Sequence, residues 1–231
     1  MCYYISINKK KQDLKKRFKK EIDQKTLFDD SLYINAFTKP LIPIISTENT
    51  DLIQFYQWGL IPFWVKDQQK ALQIQSGNFN SKCETIFEKP SFKYSIKNKR
   101  CLVIVTGFFE YFDFNNKKYP FYIKLKSNEI FCLAGIWDNW YDKKTLSIIT
   151  TEANPFMARI HNTKKRMPVI LKSEDEEKWL YPNLSNEEIN SFFIPYNEND
   201  MDAYTVINPL VKNNADFSLE KVVYNELIDK F

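Results

Sequence analysis

Three observations predict an α+β fold built on a curved, largely antiparallel, barrel-like β-sheet with flanking helices. Short runs of β-branched and aromatic residues outnumber helical patterns. They follow one another without the interposed helices of a βαβ repeat, and Gly, Pro and Asn breaks separate them at the spacing of a meander. The 231 residues are 44% hydrophobic and 16% aromatic, enough for one large core. No Gly/Ser-rich or Pro-rich linker divides them, so residues 1–231 are expected to form a single domain.

The elements follow in order. Residues 2–7 are rich in Tyr and Ile and suit a strand. Leu14, Phe18 and Ile22 then recur every four residues through a lysine-rich segment, which predicts an amphipathic helix. Residues 9–20 hold eight Lys/Arg against Asp13, a pattern that fits a solvated helix face or a contact to DNA. A loop is expected over 35–40 and strands over 42–46 and 53–58, running into Trp58-Gly59-Leu60-Ile61-Pro62-Phe63-Trp64, where Gly and Pro break the chain. Residues 80–88 predict a short helix, with Asn80 better read as its cap than as a hydrogen-bond partner of an oxygen near the site. Residues 101–111 read as one buried strand carrying a single anomalous glutamate, Glu110. Three more strands are expected at 121–125, 130–137 and 146–150. Asn154-Pro155 has the form of an N-cap with proline at the first helical position, opening a helix that ends before His161. A strand at 167–171, a helix at 174–181 with acids in its first turn, and a helix after the capping box Ser185-x-x-Glu188 complete the pattern.

Composition excludes several function classes. The longest apolar runs, such as 101–105 and 42–45, are strand-sized and far below the ~18 residues of a membrane span. The first eleven residues lack a stretch of signal-peptide length. The chain is therefore expected in the cytoplasm, with Cys2, Cys83, Cys101 and Cys132 reduced. No CxxC spacing suggests zinc, and no metal or cofactor is expected. The net charge is only +4, so the placement of the basic clusters at Lys97, Lys99 and Arg100, and at Lys164, Lys165 and Arg166, matters more than the sum.

The chemistry starts at Met1-Cys2. Removal of Met1 leaves a thiol and a free α-amine two carbons apart on Cys2. With a pKa near ~7.7 to 8 against ~10.4 for lysine, that amine is the better nucleophile at neutral pH. It attacks an aldehyde to give an imine, and the neighbouring sulfur can add across that imine to close a five-membered thiazolidine. Cys2 equally suits a small buried hydrophobe in a first strand. Glu110 lies among Phe108, Phe109, Tyr111 and Phe112. A carboxyl there either loses solvation, which raises its pKa toward proton-transfer duty, or sits on the wet face of its strand. His161, the one histidine, reads as structural or as an acid/base group. Of only four glycines, Gly59, Gly107 and Gly135 stand beside aromatic stretches, where the chain is expected to need them.

Taken together, Met1-Cys2, Trp58-Gly59-Leu60-Ile61-Pro62-x-Trp64, Asn80-x-Lys82-x-Glu84-Thr85, Arg100-Cys101-Leu102 running to Gly107-Phe108-Phe109-Glu110-Tyr111, Ala134-Gly135-Ile136-Trp137, Thr150-Thr151-x-Ala153-Asn154, and His161 with Arg166-Met167-Pro168-Val169-Ile170-Leu171 resemble the SOS-response-associated peptidase (SRAP) family over nearly the whole chain. The resemblance implies an abasic-site sensor. Such a protein binds single-stranded DNA and links its N-terminal cysteine to the opened sugar as a thiazolidine that shields the lesion. It further implies Cys2 as nucleophile, Glu110 as acid/base group, His161 as the family histidine and Asn80 as a sugar contact, with at most peptidase-type removal of Met1 and with lyase-type chemistry at abasic sites. Trp64, Lys82, Lys99, Arg100, Thr150, Lys164, Lys165 and Arg166 are expected along the DNA, and the protein is expected to act as a monomer. Two departures stand out. Lys82 replaces an arginine and loses bidentate geometry, and Tyr3-Tyr4 replaces the commoner Gly-Arg, which removes one cation. Two other readings use the same residues: an N-terminal-nucleophile cysteine hydrolase that makes no DNA adduct, and a plain single-strand binding module.

Overall fold

The computed structural model describes residues 2–24, 26, 30–209 and 218–230. Met1, which is expected to be removed, lies outside them. Tyr4–Ile7 (β1) leads into the helix Lys11–Phe18 (α1), then Glu21–Ile22 (β2), Ser31–Asn35 (β3), Leu41–Ser46 (β4) and Asn49–Trp58 (β5). Gln68–Gly77 (α2) and Asn80–Lys82 (β6) precede Ser95–Asn98 (α3), Arg100–Val105 (β7), Gly107–Phe114 (β8), Lys117–Leu125 (β9), Phe131–Trp140 (β10) and Lys143–Glu152 (β11). Pro155–Ile160 (α4), Arg166–Pro168 (β12), Ile170–Leu171 (β13), Glu176–Trp179 (α5), Asn186–Ser191 (α6) and Met201–Thr205 (β14) follow.

The predicted α+β class is what the chain adopts. One sheet runs β12-β11-β10-β7-β4-β5-β2, and a parallel pairing of β11 with β5 (Thr145↔Gln57, Leu146↔Trp58) bends it into a ring of β4, β5, β7, β10 and β11. The other sheet runs β14-β9-β8-β1-β3, and all its pairings are antiparallel. Side chains alternate across a strand. On β7 that alternation sends Cys101 and Val103 into one core cluster with Leu133, Ile148 and Trp58, and Leu102 and Ile104 into another with Ile136, Ile149 and Trp179. Both faces are buried, which is why this strand reads as an unbroken apolar run.

The single strand expected over 101–111 is two strands. The break is at Thr106, whose amide and hydroxyl both donate to the Ser6 carbonyl, at 2.8 and 3.1 Å, while its Oγ1 accepts from Asn8 N at 3.0 Å. The chain leaves the ring sheet there and enters the other. Immediately beyond, a Cβ on Gly107 would lie 2.4 Å from the Tyr122 ring, whose hydroxyl donates to the Thr106 carbonyl, so no larger residue fits. Gly59 is required for a different reason: at φ +108° it turns the chain out of β5.

Other expectations are adjusted. The first helix stops at Phe18, with Lys19 left-handed at its end, and Ile22 belongs to a strand parallel to β5. The helix expected over 80–88 is a strand followed by a 3-10 turn at Cys83–Thr85, because Asn80, Ser81 and Lys82 pair with Ile148, Ile149 and Thr150 of β11. The Asn154 cap and the Ser185/Glu188 capping box form as read. Among the described residues no helix is long and apolar enough to cross a membrane.

Candidate active site

Alternation along β8 explains the buried glutamate. Phe108 faces the main core and Phe109 the opposite side, beside Tyr122 and Val206, so Glu110 returns to the core side, where it is 4% exposed. The wet-face reading of Glu110 is thereby excluded. The β1/β8 register pairs Tyr4 with Phe109 and Ile5 with Phe108, and continuing it by one residue sets Tyr3 across from Glu110. Cys2 therefore enters the fold beside that carboxyl. It is fully buried, and its Sγ lies 3.8 Å from the Tyr4 carbonyl oxygen.

Asn80 holds Cys2 from the other sheet. Its Nδ2 donates to the Cys2 carbonyl at 2.8 Å, an arrangement possible because β6 lies parallel to β11. Asn80 is thus no helix cap. Its Oδ1 is buried with no hydrogen-bond partner among the described residues. His161 arrives at the end of α4, whose start is fixed by Asn154 Oδ1 accepting from Met157 N at 2.7 Å. Its Nδ1 lies 2.9 Å from the Arg166 carbonyl oxygen and 3.7 Å from Glu110 Oε2.

Asn162, next in the chain, bonds twice to the backbone of Asp113. Its Oδ1 accepts from Asp113 N at 3.1 Å, and its Nδ2 donates to Asp113 O at 2.8 Å. Because Asp113 lies three residues beyond Glu110 on β8, this amide fastens the His161 loop to the Glu110 strand. An open cleft of about 360 Å³ lies here, lined by Tyr3, Tyr4, Phe37, Glu110, His161 and Lys164 among others. Burial, and then the nearby Glu110 charge, push the Cys2 thiol well above its ordinary range, so it is held as a thiol and not as a thiolate.

The residues expected along DNA divide by environment. Lys82, Lys164 and Lys165 are exposed, and Trp64 is 37% exposed on the loop after β5. Arg100 is fully buried. It donates to the carbonyls of Ile96, Lys97, Trp179 and Tyr181, and burial pulls it down to about 10, so it ties α3 and α5 together and cannot meet a phosphate. Thr150 is also buried, with its hydroxyl donating to Ser81 O at 3.3 Å. Lys99 pairs with the buried Asp138 carboxylate at 2.5 Å. Arg166, 9% exposed, is gripped by both Glu84 oxygens and donates to Thr150 O at 2.7 Å. The expected DNA contact of Arg100 is therefore corrected to a structural role, Thr150 is buried against Ser81, and Arg166 and Lys99 are each already paired with a carboxylate, Lys99 outside the residues that line the cleft.

Residues 1–213 match the sequence profile of the family described as SOS response associated peptidase (SRAP). The chain belongs to the SRAP family. It is similar to Abasic site processing protein YoaM of Bacillus subtilis, with 37% identity over 194 residues that cover 80% of this chain and 82% of that one. It is also similar to Abasic site processing protein HMCES of Rattus norvegicus, with 28% identity over 218 residues covering 79% and 60%. A crystal structure of a protein from Bacteroides thetaiotaomicron matches this SRAP fold with a TM-score of 0.88 at 42% identity, covering 93% and 97% of the two chains. Sequence reasoning passed over Asn162 and the pairing of Glu84 with Arg166. Each was visible only as a polar residue next to a motif position, since the partner is distant in the chain.

Proposed function

We propose that this protein senses abasic sites in single-stranded DNA and, as a monomer with Met1 removed, joins Cys2 to the opened sugar. The observation that carries the reading is the grouping of buried Cys2, held by Asn80 and beside the Glu110 charge, with Glu110 and His161, which line the cleft. The Cys2 amine attacks C1′ of the open aldehyde, forming a C–N bond and a carbinolamine. Loss of one water gives the imine. The thiol then adds across C=N: Sγ bonds C1′, its proton passes to nitrogen, and the thiazolidine closes with no other co-reactant. Glu110 shuttles the amine proton and protonates the departing hydroxyl, work typically worth ~10² to 10⁴ in rate. His161 assists opening of the closed sugar, and Asn80 fixes the Cys2 backbone while offering Oδ1 to a sugar hydroxyl.

Intact-mass measurement after incubation with an abasic single-stranded oligonucleotide tests the reading. The mass of the whole strand is expected to be added, and lost in Cys2→Ala. Turnover of small amides without any DNA adduct would instead establish the N-terminal-nucleophile hydrolase. Glu110→Gln is expected to slow formation and reversal of the adduct together while sparing DNA binding. His161→Ala is expected to be partly rescued by a small aldehyde that needs no ring opening.

A further inference from the structure

Away from the cleft, a second surface combines flat aromatic rings with cations. Phe63 and Tyr94 are 54% and 55% exposed and meet edge to face at 5.9 Å. Lys99 Nζ lies 5.6 Å from the Phe63 ring centroid and Lys93 Nζ 5.1 Å from that of Tyr94. Lys97, on α3 just after Tyr94, is exposed. Asp138, the carboxylate beneath the rings, is buried and paired with Lys99, so it offers no repulsion to an anion.

The loop that carries Phe63 is held rigidly. Phe63 N donates to Asp138 Oδ2 at 3.0 Å, Ile61 N to Thr145 Oγ1 at 2.9 Å, and Trp140 Nε1 to Val65 O at 2.7 Å. These three hydrogen bonds fix the backbone on either side of Phe63 while its ring stays exposed.

We infer that Phe63 and Tyr94 form a stacking platform for bases of the single strand that flanks the lesion. The register along β11 relates the platform to the site. Arg166, at the end of the His161 loop, lies across from Glu152; Lys82 pairs with Thr150; Asn80, which holds Cys2, pairs with Ile148; and Asp138, which holds Phe63, pairs with Thr145. The two anchors are three residues apart on β11, an odd separation that puts the Cys2 side and the platform on opposite faces of this sheet, so a strand that reaches both passes around the sheet's edge. Trp64 lies next to Phe63 in the chain. Rings that stack bases beside lysines that neutralise phosphates are the combination a single strand recognises without regard to sequence, each stacked base contributing about tenfold in affinity. The inference rests on the single-strand reading above.

The test is a series of single-stranded oligonucleotides, undamaged and abasic, extended stepwise from the lesion on either side. Extension on one side is expected to raise affinity about tenfold at a defined length. Tyr94→Ala should remove most of that gain while leaving adduct formation on the shortest abasic strand intact, and Tyr94→Trp should restore it. Extension with base-free sugar-phosphate spacer should give only a salt-sensitive part of the gain. An equal gain from spacer and from bases, an unchanged gain in Tyr94→Ala with native thermal stability, or a Tyr94-dependent dimer seen by sedimentation without DNA would each overturn the platform. Failure of the wild type to form an adduct with the shortest abasic strand would count against the proposed function alone, because the stacking gain is read on undamaged strands as well.

Discussion

The Nδ1 nitrogen of His161 lies 2.9 Å from the carbonyl oxygen of Arg166 and 3.7 Å from the Glu110 carboxylate. A carbonyl only accepts, so Nδ1 carries the proton and Nε2 becomes the lone-pair nitrogen. The backbone of β12 therefore sets the tautomer.

The Asn162 clamp sets how far His161 stands from Glu110. Asn162→Ala is expected to slow single-turnover crosslinking about ten- to hundredfold with DNA affinity unchanged, since small misplacements of acid/base groups cost that much. Asn162→Asp keeps the acceptor for Asp113 N and should recover part of the rate. A loss of thermal stability with an unaltered rate would make the clamp purely structural.

Cys2→Ser keeps the amine and weakens only ring closure. It should yield an adduct trapped by borohydride and lost on heating without it. A serine adduct as heat-stable as the wild-type one would exclude the thiazolidine.

Thiol labelling of the native protein should run opposite to chemical intuition about Cys2. Burial raises the thiols of Cys2, Cys101 and Cys132, and Cys83, also raised by burial, is the half-buried one. A raised pKa means less thiolate at any given pH, so iodoacetamide at pH 8 should modify Cys83 first. Peptide mapping that found Cys2 labelled ahead of Cys83 would contradict the closed thiol.

Only Lys82, Lys164 and Lys165, of the cations expected near the lesion, are exposed, and at about −0.7 per phosphate they give a slope near −2 in log affinity against log salt on a short strand. Each Lys→Ala should reduce that slope by about 0.7. Arg100→Met should lower thermal stability and leave the slope alone, so a change in slope would return Arg100 to the DNA.

Burial works against the Glu84 carboxylate, but the hydrogen bonds from Arg166 overcome it and hold its pKa below the ordinary value. A depressed folded pKa gives stability that is present above the unfolded value, about 4.3, and lost as pH falls through the lower folded one. Glu84→Gln should therefore lower Tm by a few degrees at neutral pH, a modest effect for a half-exposed pair, and the difference should close in acid. A difference that persisted at pH 2 would have another origin.

What the sequence made legible was local. Asn154-Pro155 and Ser185-x-x-Glu188 announce helix starts because their partners are three residues away. Asn80 misled, since the same amide that caps a helix also bonds a carbonyl 78 positions earlier, and only the pairing of β6 with β11 decides between them. Arg100 looked like a DNA cation because charge is written in the sequence and burial is not. Its four carbonyl partners come from α3 and from the α5 region some eighty residues on. The α2 helix escaped notice because its face buries only Ala71 and Gln75. β14 was missed because its register with β9 is a long-range fact.

β1 lies between β3 and β8, bonded on both edges. A polymer attached at Cys2 and placed under tension would pull along that strand, loading both ladders in shear so that many hydrogen bonds must fail together. An edge strand would unzip one bond at a time. A polymer joined at Cys2 as proposed would thus pull on a strand set in the middle of its sheet, the arrangement that resists such a load best.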